Sequence, residues 1–237
     1  MNIEFDRILY MDIETVSQYR TYDLVPEIVQ KIWTKKTEKL DYFNSLPPNQ
    51  LYQEKAAIFA EYGKIVCISV ALYDKAKDEY RVKSFYSEEE KEILHSFIVF
   101  CNSLKKPYIF CGHNIKEFDV PFLCRRMLVN GFAIPKILDF QDKKPWEIEI
   151  YDTLQMWKFG DFKNYTSLET LTTIFDIPTP KDDIDGSMVG QVFWEEKNLK
   201  RIVNYCQQDV VALIQLICKL TQRQVIPKEK INIVTHE

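Results

Sequence analysis

The chain has 237 residues, of which 46% are hydrophobic and 28% are charged. These values are typical of a folded globular protein and exclude disordered, collagen-like and coiled-coil classes. The 31 Lys and Arg residues against 35 Asp and Glu residues give a formal net charge of −4. This balance excludes a uniformly basic surface that holds long nucleic acid, so any nucleic-acid contact must be local or assisted by metal ions.

The sequence also limits location and metal chemistry. No uncharged apolar run approaches the ~18 residues of a membrane-spanning helix, and residues 1–6 lack the features of a signal peptide. A cytoplasmic protein without membrane contact is therefore expected. The six cysteines lie mostly in apolar runs without a C-x-x-C pair, and the three histidines are dispersed. Cysteines of this kind are reduced core thiols, so carboxylates must supply the ligands of any metal site.

The first half of the chain predicts strands around a helical insertion. Residues 7–13 predict a central strand buried on both faces, because apolar residues fill both of its alternating sets. Residues 17–62 are rich in Lys, Glu, Gln and Tyr, with a break at Pro47-Pro48, and predict a helical insertion. Residues 64–73 and 80–86 predict a hairpin, since β-branched and aromatic residues flank a polar turn.

The second half alternates predicted helices and strands. Two S/T-x-x-E patterns, Ser87 with Glu90 and Thr166 with Glu169, predict helix starts, and Gly131 predicts a helix end. The overall order predicts an α/β protein with a mixed sheet covered by helices. The predicted strands are 107–111 and 147–151, and the predicted helices are 87–104, 117–130, 153–159, 167–175 and 199–223.

Asp12 and Glu14 stand two residues apart at the end of the first predicted strand. The period of two places both carboxylates on one face of the sheet. Two carboxylates on a buried strand repel each other unless a cation neutralises them, and no basic residue is adjacent in sequence. The alternative interpretation is an ordinary surface pair at a strand end.

Two further motifs carry acids. Asp119 lies in an apolar stretch at the start of a predicted helix, where it would also complement the helix dipole ahead of Pro121. Tyr205 and Asp209 are four residues apart on the last predicted helix, so they share one face. A tyrosine hydrogen-bonded only to its own helix neighbour would explain this second pair equally well.

In this order the three motifs resemble those of the DEDD 3′–5′ exonuclease superfamily. The sequence around them is similar to that of the exonuclease domain of family B DNA polymerases. It is similar in particular to the bacterial family of predicted stand-alone exonucleases related to that domain. Asn204 stands where the histidine subtype places its base, so Tyr205 indicates the tyrosine subtype. The motifs are D-x-E (Asp12, Glu14), N-x-x-x-F-D (Asn114, Phe118, Asp119) and Y-x-x-x-D (Tyr205, Asp209).

The resemblance extends from about Ile8 to Leu220 and implies a fold and a set of metal ligands. It implies a ribonuclease H-like fold, with a mixed sheet of about five strands flanked by helices, in a single exonuclease domain at 1–237. It also implies two divalent cations, Mg²⁺ or Mn²⁺, held by carboxylates. Asp12 would bridge the two ions, Glu14 and Asp209 would bind the first, Asp119 would bind the second, and Tyr205 would orient the attacking water.

Substrate contacts are predicted from the same resemblance. Asn114 matches the position that contacts the terminal nucleotide, and Phe118 and His113 could stack or wedge against its base. Core packing is the alternative for Phe118, and a solvated side chain is the alternative for Lys181, the candidate phosphate contact. Asp152 is interpreted as a helix N-cap rather than a fifth ligand. Candidate contacts to the nucleic-acid backbone are Lys116, Arg125, Arg126, Lys158 and Lys163.

The expected function is a metal-dependent 3′–5′ exonuclease acting on single-stranded or frayed DNA ends. It would release nucleoside 5′-monophosphates in proofreading or repair, with a polymerase or repair partner acting in trans. Three alternatives stay open: a 3′–5′ exoribonuclease on the same fold, a catalytically silent nucleic-acid-binding domain, and a purely structural acidic cluster. RNA remains an alternative substrate because no motif tests for the 2′-hydroxyl.

Overall fold

A six-stranded mixed sheet with helices on both faces organises the chain. The computed structural model describes residues 3–39, 46–161, 163–178 and 184–234. The strands are β1 (Ile8–Ser17), β2 (Gly63–Asp74), β3 (Glu79–Tyr86), β4 (Ile109–Gly112), β5 (Ile150–Asp152) and β6 (Ile231–Ile233). The helices are α1 (Glu27–Glu38), α2 (Pro48–Lys55), α3 (Glu90–Ser103), α4 (Asp119–Val129), α5 (Thr153–Lys158), α6 (Leu168–Ile174), α7 (Val189–Trp194) and α8 (Leu199–Leu220).

The strand order is β5-β4-β1-β2-β3-β6. β1, β2 and β3 are antiparallel neighbours, whereas β4 pairs parallel with β1 and β5 pairs parallel with β4. The predicted α/β class and the hairpin are therefore confirmed. The sheet has six strands rather than about five, because β6 adds in parallel to the edge of β3. Three residues are too few to show a strand period, so this strand was not predicted.

β1 is buried on both faces, as predicted, because its alternate residues pack into two different cores. Leu9 and Met11 join one apolar core that includes residues of α3 and α4. Ile8 and Tyr10 join a second core, which contains the buried apolar face of α8. Since side chains alternate along a strand, Asp12 and Glu14 lie on the face that α8 covers.

The predicted end of β1 was wrong. The strand continues to Ser17, so Asp12 and Glu14 lie in its interior rather than at its end. The pairing with β2 runs to the end of β1, whereas the parallel pairing with β4 stops at Tyr10. The two acids therefore lie beyond the last rung shared with β4, where one side of β1 is open to other groups.

The predicted helices form, but α8 ends at Leu220 rather than at 223, and two predicted N-terminal caps differ. The Ser87 hydroxyl bonds Glu89 N–H and the Glu92 carboxylate, so the predicted capping box with Glu90 does not form. α6 is capped by Ser167, one residue after the predicted Thr166. Gly131 ends α4 as predicted, with the positive φ of 80° that a glycine adopts without strain. The short helix α7 was not predicted.

Glu90 instead forms a buried ion pair with Arg126. Arg126 is 4% exposed, and its Nη2 lies 2.6 Å from Glu90 Oε2. Its remaining N–H groups donate to the Ala60 carbonyl and to Gln18 Oε1, each at 2.9 Å. Glu90 also accepts the Ile65 backbone N–H at 2.8 Å. The prediction of Arg126 as a nucleic-acid contact was therefore wrong, because its guanidinium is fully engaged inside the protein.

The segment 17–62 contains the helices α1 and α2, in agreement with its predicted helical character. Trp33 packs against Tyr52 and Tyr62 in a small aromatic core of this segment. The chain leaves β1 at Ser17 and returns to β2 at Gly63, and these two residues are paired in the sheet. Among the described residues, no helix is both long and apolar enough to cross a membrane.

Replacing Arg126 with Met should lower the free energy of unfolding by about 3 kcal/mol, because it leaves the Glu90 carboxylate buried without its partner. Urea denaturation at neutral pH measures the change. Arg125→Met is the matched control, since Arg125 is the exposed neighbour on α4, and it should change stability by less than about 0.5 kcal/mol. Equal stabilities of the two variants would contradict the importance of this buried pair.

Candidate active site

The predicted acids converge between β1, the first residue of α4 and the middle of α8. Ile13 N–H donates to Asp119 Oδ1 at 3.2 Å, which joins the start of α4 to β1. Cys206 of α8 lies 3.4 Å from Asp12 Oδ2 through its Sγ. Asp12, Glu14 and Cys206 each offer one ligand atom within 4.8 Å of the others. The structure thus brings residues of three distant motifs to one place.

Buried polar contacts hold α8 over these acids. Ser69 of β2 lies opposite Asp12, and its hydroxyl is 2.8 Å from that of Ser84 on β3. Gln207 of α8 donates to the Ser84 hydroxyl at 2.9 Å. Buried polar groups require such partners, so a shift of α8 along the sheet would leave them unsatisfied. The contacts therefore fix which residues of α8 face β1.

The electrostatics of the cluster favour proton or cation binding. Burial raises the pKa values of Asp12 and Glu14 well above the usual range, and the negative charges of neighbouring acids raise them further. Burial also raises the pKa of Asp119 to about 7, although hydrogen bonds from its own backbone N–H and that of Ile13 oppose the shift. Within the described ranges, no Lys or Arg forms an ion pair with these three acids.

This donor set fits divalent cations that prefer hard ligands. Buried carboxylates that repel one another and lack a basic partner are stabilised when a cation neutralises them. Carboxylate oxygens suit Mg²⁺ or Mn²⁺, whereas the Cys206 thiol is a soft donor at the edge of the cluster. The cysteine was expected to be a reduced core thiol, and nothing in the sequence indicated its contact with Asp12.

Tyr205 is half-buried and lies beside the acids. Burial and the charges of Asp209 and Glu14 raise the pKa of its phenol above its ordinary value, and a hydrogen bond with Asp209 acts in the same direction. The phenol is therefore neutral at pH 7. It can donate or accept a hydrogen bond, but it cannot serve as an ionised base.

A tight turn at residues 112–116 borders the cluster. Gly112 is required there, because a Cβ would lie 2.8 Å from Ile115 Cβ and 2.9 Å from the Met11 carbonyl. Asp152 accepts N–H bonds from Asn114 at 3.0 Å and from Lys116 at 3.1 Å, and it also caps α5. The predicted N-cap role of Asp152 is confirmed. The same carboxylate holds the turn in place.

The other predicted substrate contacts lie in different environments. The amide Oδ1 of Asn114 is buried and has no hydrogen-bond partner among the described residues. Phe118 packs on Phe122 with ring centroids 5.5 Å apart and contacts the core, which favours its core-packing alternative. Lys181 lies outside the described residues, so the structure does not describe its surroundings.

His113 is held by the protein at both ring nitrogens. Its Nε2 lies 2.8 Å from the Thr166 carbonyl, and its Nδ1 lies 2.9 Å from Thr153 Oγ1. A carbonyl oxygen only accepts, so Nε2 carries the proton. Burial lowers the pKa of His113, which keeps the ring neutral. Neither nitrogen is available to a nucleotide, and only the ring surface remains for the predicted stacking.

The remaining basic candidates lie in the turn at 112–116, on α4, and at or after the end of α5. Lys116 and Arg125 line a groove of about 790 Å³ beside α4. Lys158 is the last residue of α5, and Lys163 lies in the exposed segment that follows it. Contact of these four side chains with a nucleic-acid backbone stays a prediction.

The mixed sheet with helices on both faces belongs to the ribonuclease H-like class of folds. Residues 58–231 match the family model described as predicted 3′–5′ exonuclease related to the exonuclease domain of PolB. The chain belongs to this family. The matched range contains Asp119, Tyr205 and Asp209, whereas Asp12 and Glu14 precede it.

A solved structure shares the fold. The family B DNA polymerase from the hyperthermophilic archaeon Pyrobaculum calidifontis superimposes with a TM-score of 0.50 at 14% sequence identity. The alignment covers 87% of this chain and 24% of the polymerase, so the chain spans about a quarter of the polymerase's length. No curated protein matches the chain.

The raised pKa values predict that stability without divalent cations falls as pH rises. Asp119 has a pKa of about 7 in the folded protein and about 3.9 when unfolded. Between these values the folded state binds more protons, so stability is full below about pH 4 and is lost as pH rises through 7. In EDTA, the melting temperature should therefore fall between pH 5 and pH 8.

Asp119→Asn should reduce this slope and raise the melting temperature in EDTA at pH 8 by about 3 °C or more. Asp139→Asn is the matched control, because Asp139 is an exposed acid, and it should keep the slope of the unmodified protein. Differential scanning fluorimetry with and without Mg²⁺ measures both effects. A pH-independent melting temperature in EDTA would contradict the electrostatic interpretation of the cluster.

Proposed function

We propose that this chain is a metal-dependent 3′–5′ exonuclease that hydrolyses phosphodiester bonds at DNA 3′ ends. Single-stranded or frayed ends are its substrates, and nucleoside 5′-monophosphates are its products. The observation that carries the proposal is the group of mutually repelling acids Asp12, Glu14 and Asp119, beside Asp209, in a fold shared with a family B polymerase. Membership in the exonuclease family supports it independently.

In this proposal the four carboxylates hold two divalent cations, Mg²⁺ or Mn²⁺. Asp12 would be shared between the two ions, Glu14 and Asp209 would bind the first, and Asp119 would bind the second, as the family resemblance implies. Bound cations would neutralise the phosphate oxygens, activate a water and stabilise the leaving 3′ oxygen. Burial serves this role, because carboxylates excluded from water bind cations more strongly than solvated ones do.

The protein side chains then position the reactants. Tyr205 orients the attacking water through its neutral phenol, since the charges of the acids around it oppose its ionisation. Asn114 contacts the terminal nucleotide, and its buried Oδ1 supports this role because it lacks a partner within the described structure. An unpaired buried acceptor is destabilising, and a donor on a ligand would satisfy it. Asp152 holds the backbone of this turn while the substrate binds.

Proofreading or repair is the proposed setting, with a polymerase or repair partner supplied in trans. The overall charge of −4 is compatible with this role. An exonuclease holds only a few terminal nucleotides, and its bound cations add positive charge at the site. Affinity for nucleic acid should therefore depend only modestly on salt.

The proposal predicts a ladder of products shortened from the 3′ end. The substrates are 5′-labelled single-stranded DNA, mismatched primer-template DNA and single-stranded RNA, each with Mg²⁺, Mn²⁺ or EDTA. Degradation should require a divalent cation and should be faster on single-stranded or mismatched DNA than on RNA. Asp12→Asn and Asp209→Asn should each lower the rate by at least about 100-fold, an effect comparable with other transition-state contacts.

Asp139→Asn is the control for these variants, because it changes an exposed acid of the same type. It should retain the rate of the unmodified protein. Preferential degradation of RNA would favour the alternative function, a 3′–5′ exoribonuclease. Folded protein that leaves every substrate intact with every cation would contradict the proposed hydrolysis.

Replacing Tyr205 with Phe should lower the maximal rate by about tenfold or more, because positioned proton and water contacts typically contribute that much or more. The Michaelis constant should change little, since the ring remains in place. The rate should depend on pH in the same way in both proteins, because the proposed role of the phenol is a hydrogen bond to the water rather than proton abstraction. Initial rates at saturating and limiting DNA separate these effects, and an unchanged maximal rate would exclude the role in water orientation.

A further inference from the structure

Tyr165 is an exposed aromatic residue that none of the three motifs contains. Its side chain is 65% exposed, although it lies in the segment between α5 and α6 that passes next to His113. A single exposed aromatic side chain is ordinary at a protein surface, so its neighbours decide whether it has a function. The surroundings of Tyr165 therefore carry the argument for its role.

The ring of Tyr165 packs edge-to-face against the ring of His113. The two ring centroids are 6.1 Å apart at an interplanar angle of 74°. His113 is itself immobilised, since it bonds Thr153 and the carbonyl of Thr166, the residue next to Tyr165. A rigid support reduces the entropy that a ligand-binding side chain loses on binding. The Tyr165 ring is thus presented to solvent on a preorganised base.

Tyr165 also lies close to the acids. Partial burial raises the pKa of its phenol, and the charges of Asp119 and Asp152 raise it further. Asp119 belongs to the acidic cluster, and Asp152 binds the turn that contains Asn114. His113 and Asn114 are adjacent residues, so the Tyr165 ring lies next to the turn that carries the unpaired amide oxygen.

We propose that Tyr165 stacks against the base of the 3′-terminal nucleotide and so binds the strand end without reading its sequence. The inference rests on the proposed function and adds a residue that recognises single-stranded ends. A base exposes its face for stacking only when it is unpaired or frayed. Every base offers such a face, so the contact favours unpaired ends and tolerates any sequence.

This assignment replaces the two residues that the sequence predicted to stack on the terminal base. His113 was predicted to stack, but both of its ring nitrogens are hydrogen-bonded and the ring of Tyr165 packs against its ring. Phe118 was predicted to stack, but it packs against Phe122 and the core. Tyr165 is the more exposed aromatic ring, and His113 acts as its support.

Steady-state kinetics on 5′-labelled single-stranded DNA with Mg²⁺ test the stacking. Tyr165→Ala should raise KM about tenfold and leave kcat within about threefold, the range expected for loss of one base–aromatic stack. Tyr165→Phe keeps the ring and should stay within about twofold of the unmodified protein. Trp146→Ala is the matched control, because Trp146 is also an exposed aromatic residue, with 77% exposure. It lies before the start of β5, whereas Asp152 is the last residue of that strand.

A binding measurement separates this inference from the proposed hydrolysis. In the Asp12→Asn background, an oligonucleotide with 2-aminopurine at its 3′ end should lose fluorescence on binding, because the base stacks on an aromatic ring. Tyr165→Ala should abolish most of this quenching, and Trp146→Ala should preserve it. If this quenching depends on Tyr165 but the unmodified protein shows no nuclease activity, the stacking is supported and the proposed function is contradicted.

The opposite combination overturns only the stacking. If the unmodified protein degrades DNA and Tyr165→Ala retains both its KM and its quenching, Tyr165 does not bind the terminal base. If Tyr165→Phe raises KM as much as Tyr165→Ala does, the hydroxyl rather than the ring makes the contact, and the stacking proposal fails.

Discussion

The exclusion of water from the middle of β1 is the constraint on which the site depends. At Asp12 and Glu14, β2 pairs along one side of β1 and α8 covers the face on which both carboxylates lie, so their access to bulk solvent is restricted. A buried carboxylate is stable only as a neutral acid or beside a positive charge. Because Asp119 and Asp209 add negative charge instead, the fold places several carboxylates that require a proton or a cation at one site. A cation bound there would also stabilise the folded state.

The structure limits the cost of this arrangement by making its surroundings rigid. Gln207, Ser84 and Ser69 form a chain of buried hydrogen bonds across the sheet, which opposes sliding of α8. Asp152 and the close packing at Gly112 hold the turn on the other side. Repulsion between the acids therefore cannot be relieved by separation of the elements that carry them. Such preorganisation is what electrostatic catalysis requires, since the groups need not reorganise during the reaction.

Much of the fold could be predicted because its main elements have local signals. The apolar run before Asp12, the hairpin and the glycine that ends α4 each reflect short-range backbone preferences. The predicted end of β1 was wrong, because β2 continues to pair with β1 beyond the last rung shared with β4. This continuation is a tertiary effect. The Glu90 carboxylate matched a helix-start pattern, yet Arg126 captured it across the fold. Tyr165 and Cys206 carried no signal, since only the folded chain brings them to the acids.

The paired ends of the segment 17–62 have a topological consequence. Ser17 and Gly63 occupy one rung of the ladder, and Gln18 N–H donates to the Tyr62 carbonyl at 2.7 Å. β1 and β2 therefore form a hairpin whose connection has grown into a helical unit. Closing a loop ten times longer costs only about 2 kcal/mol more. A connection anchored in this way can change in length or sequence while the strands keep their register, so this region of the fold is free to diversify independently of the acids.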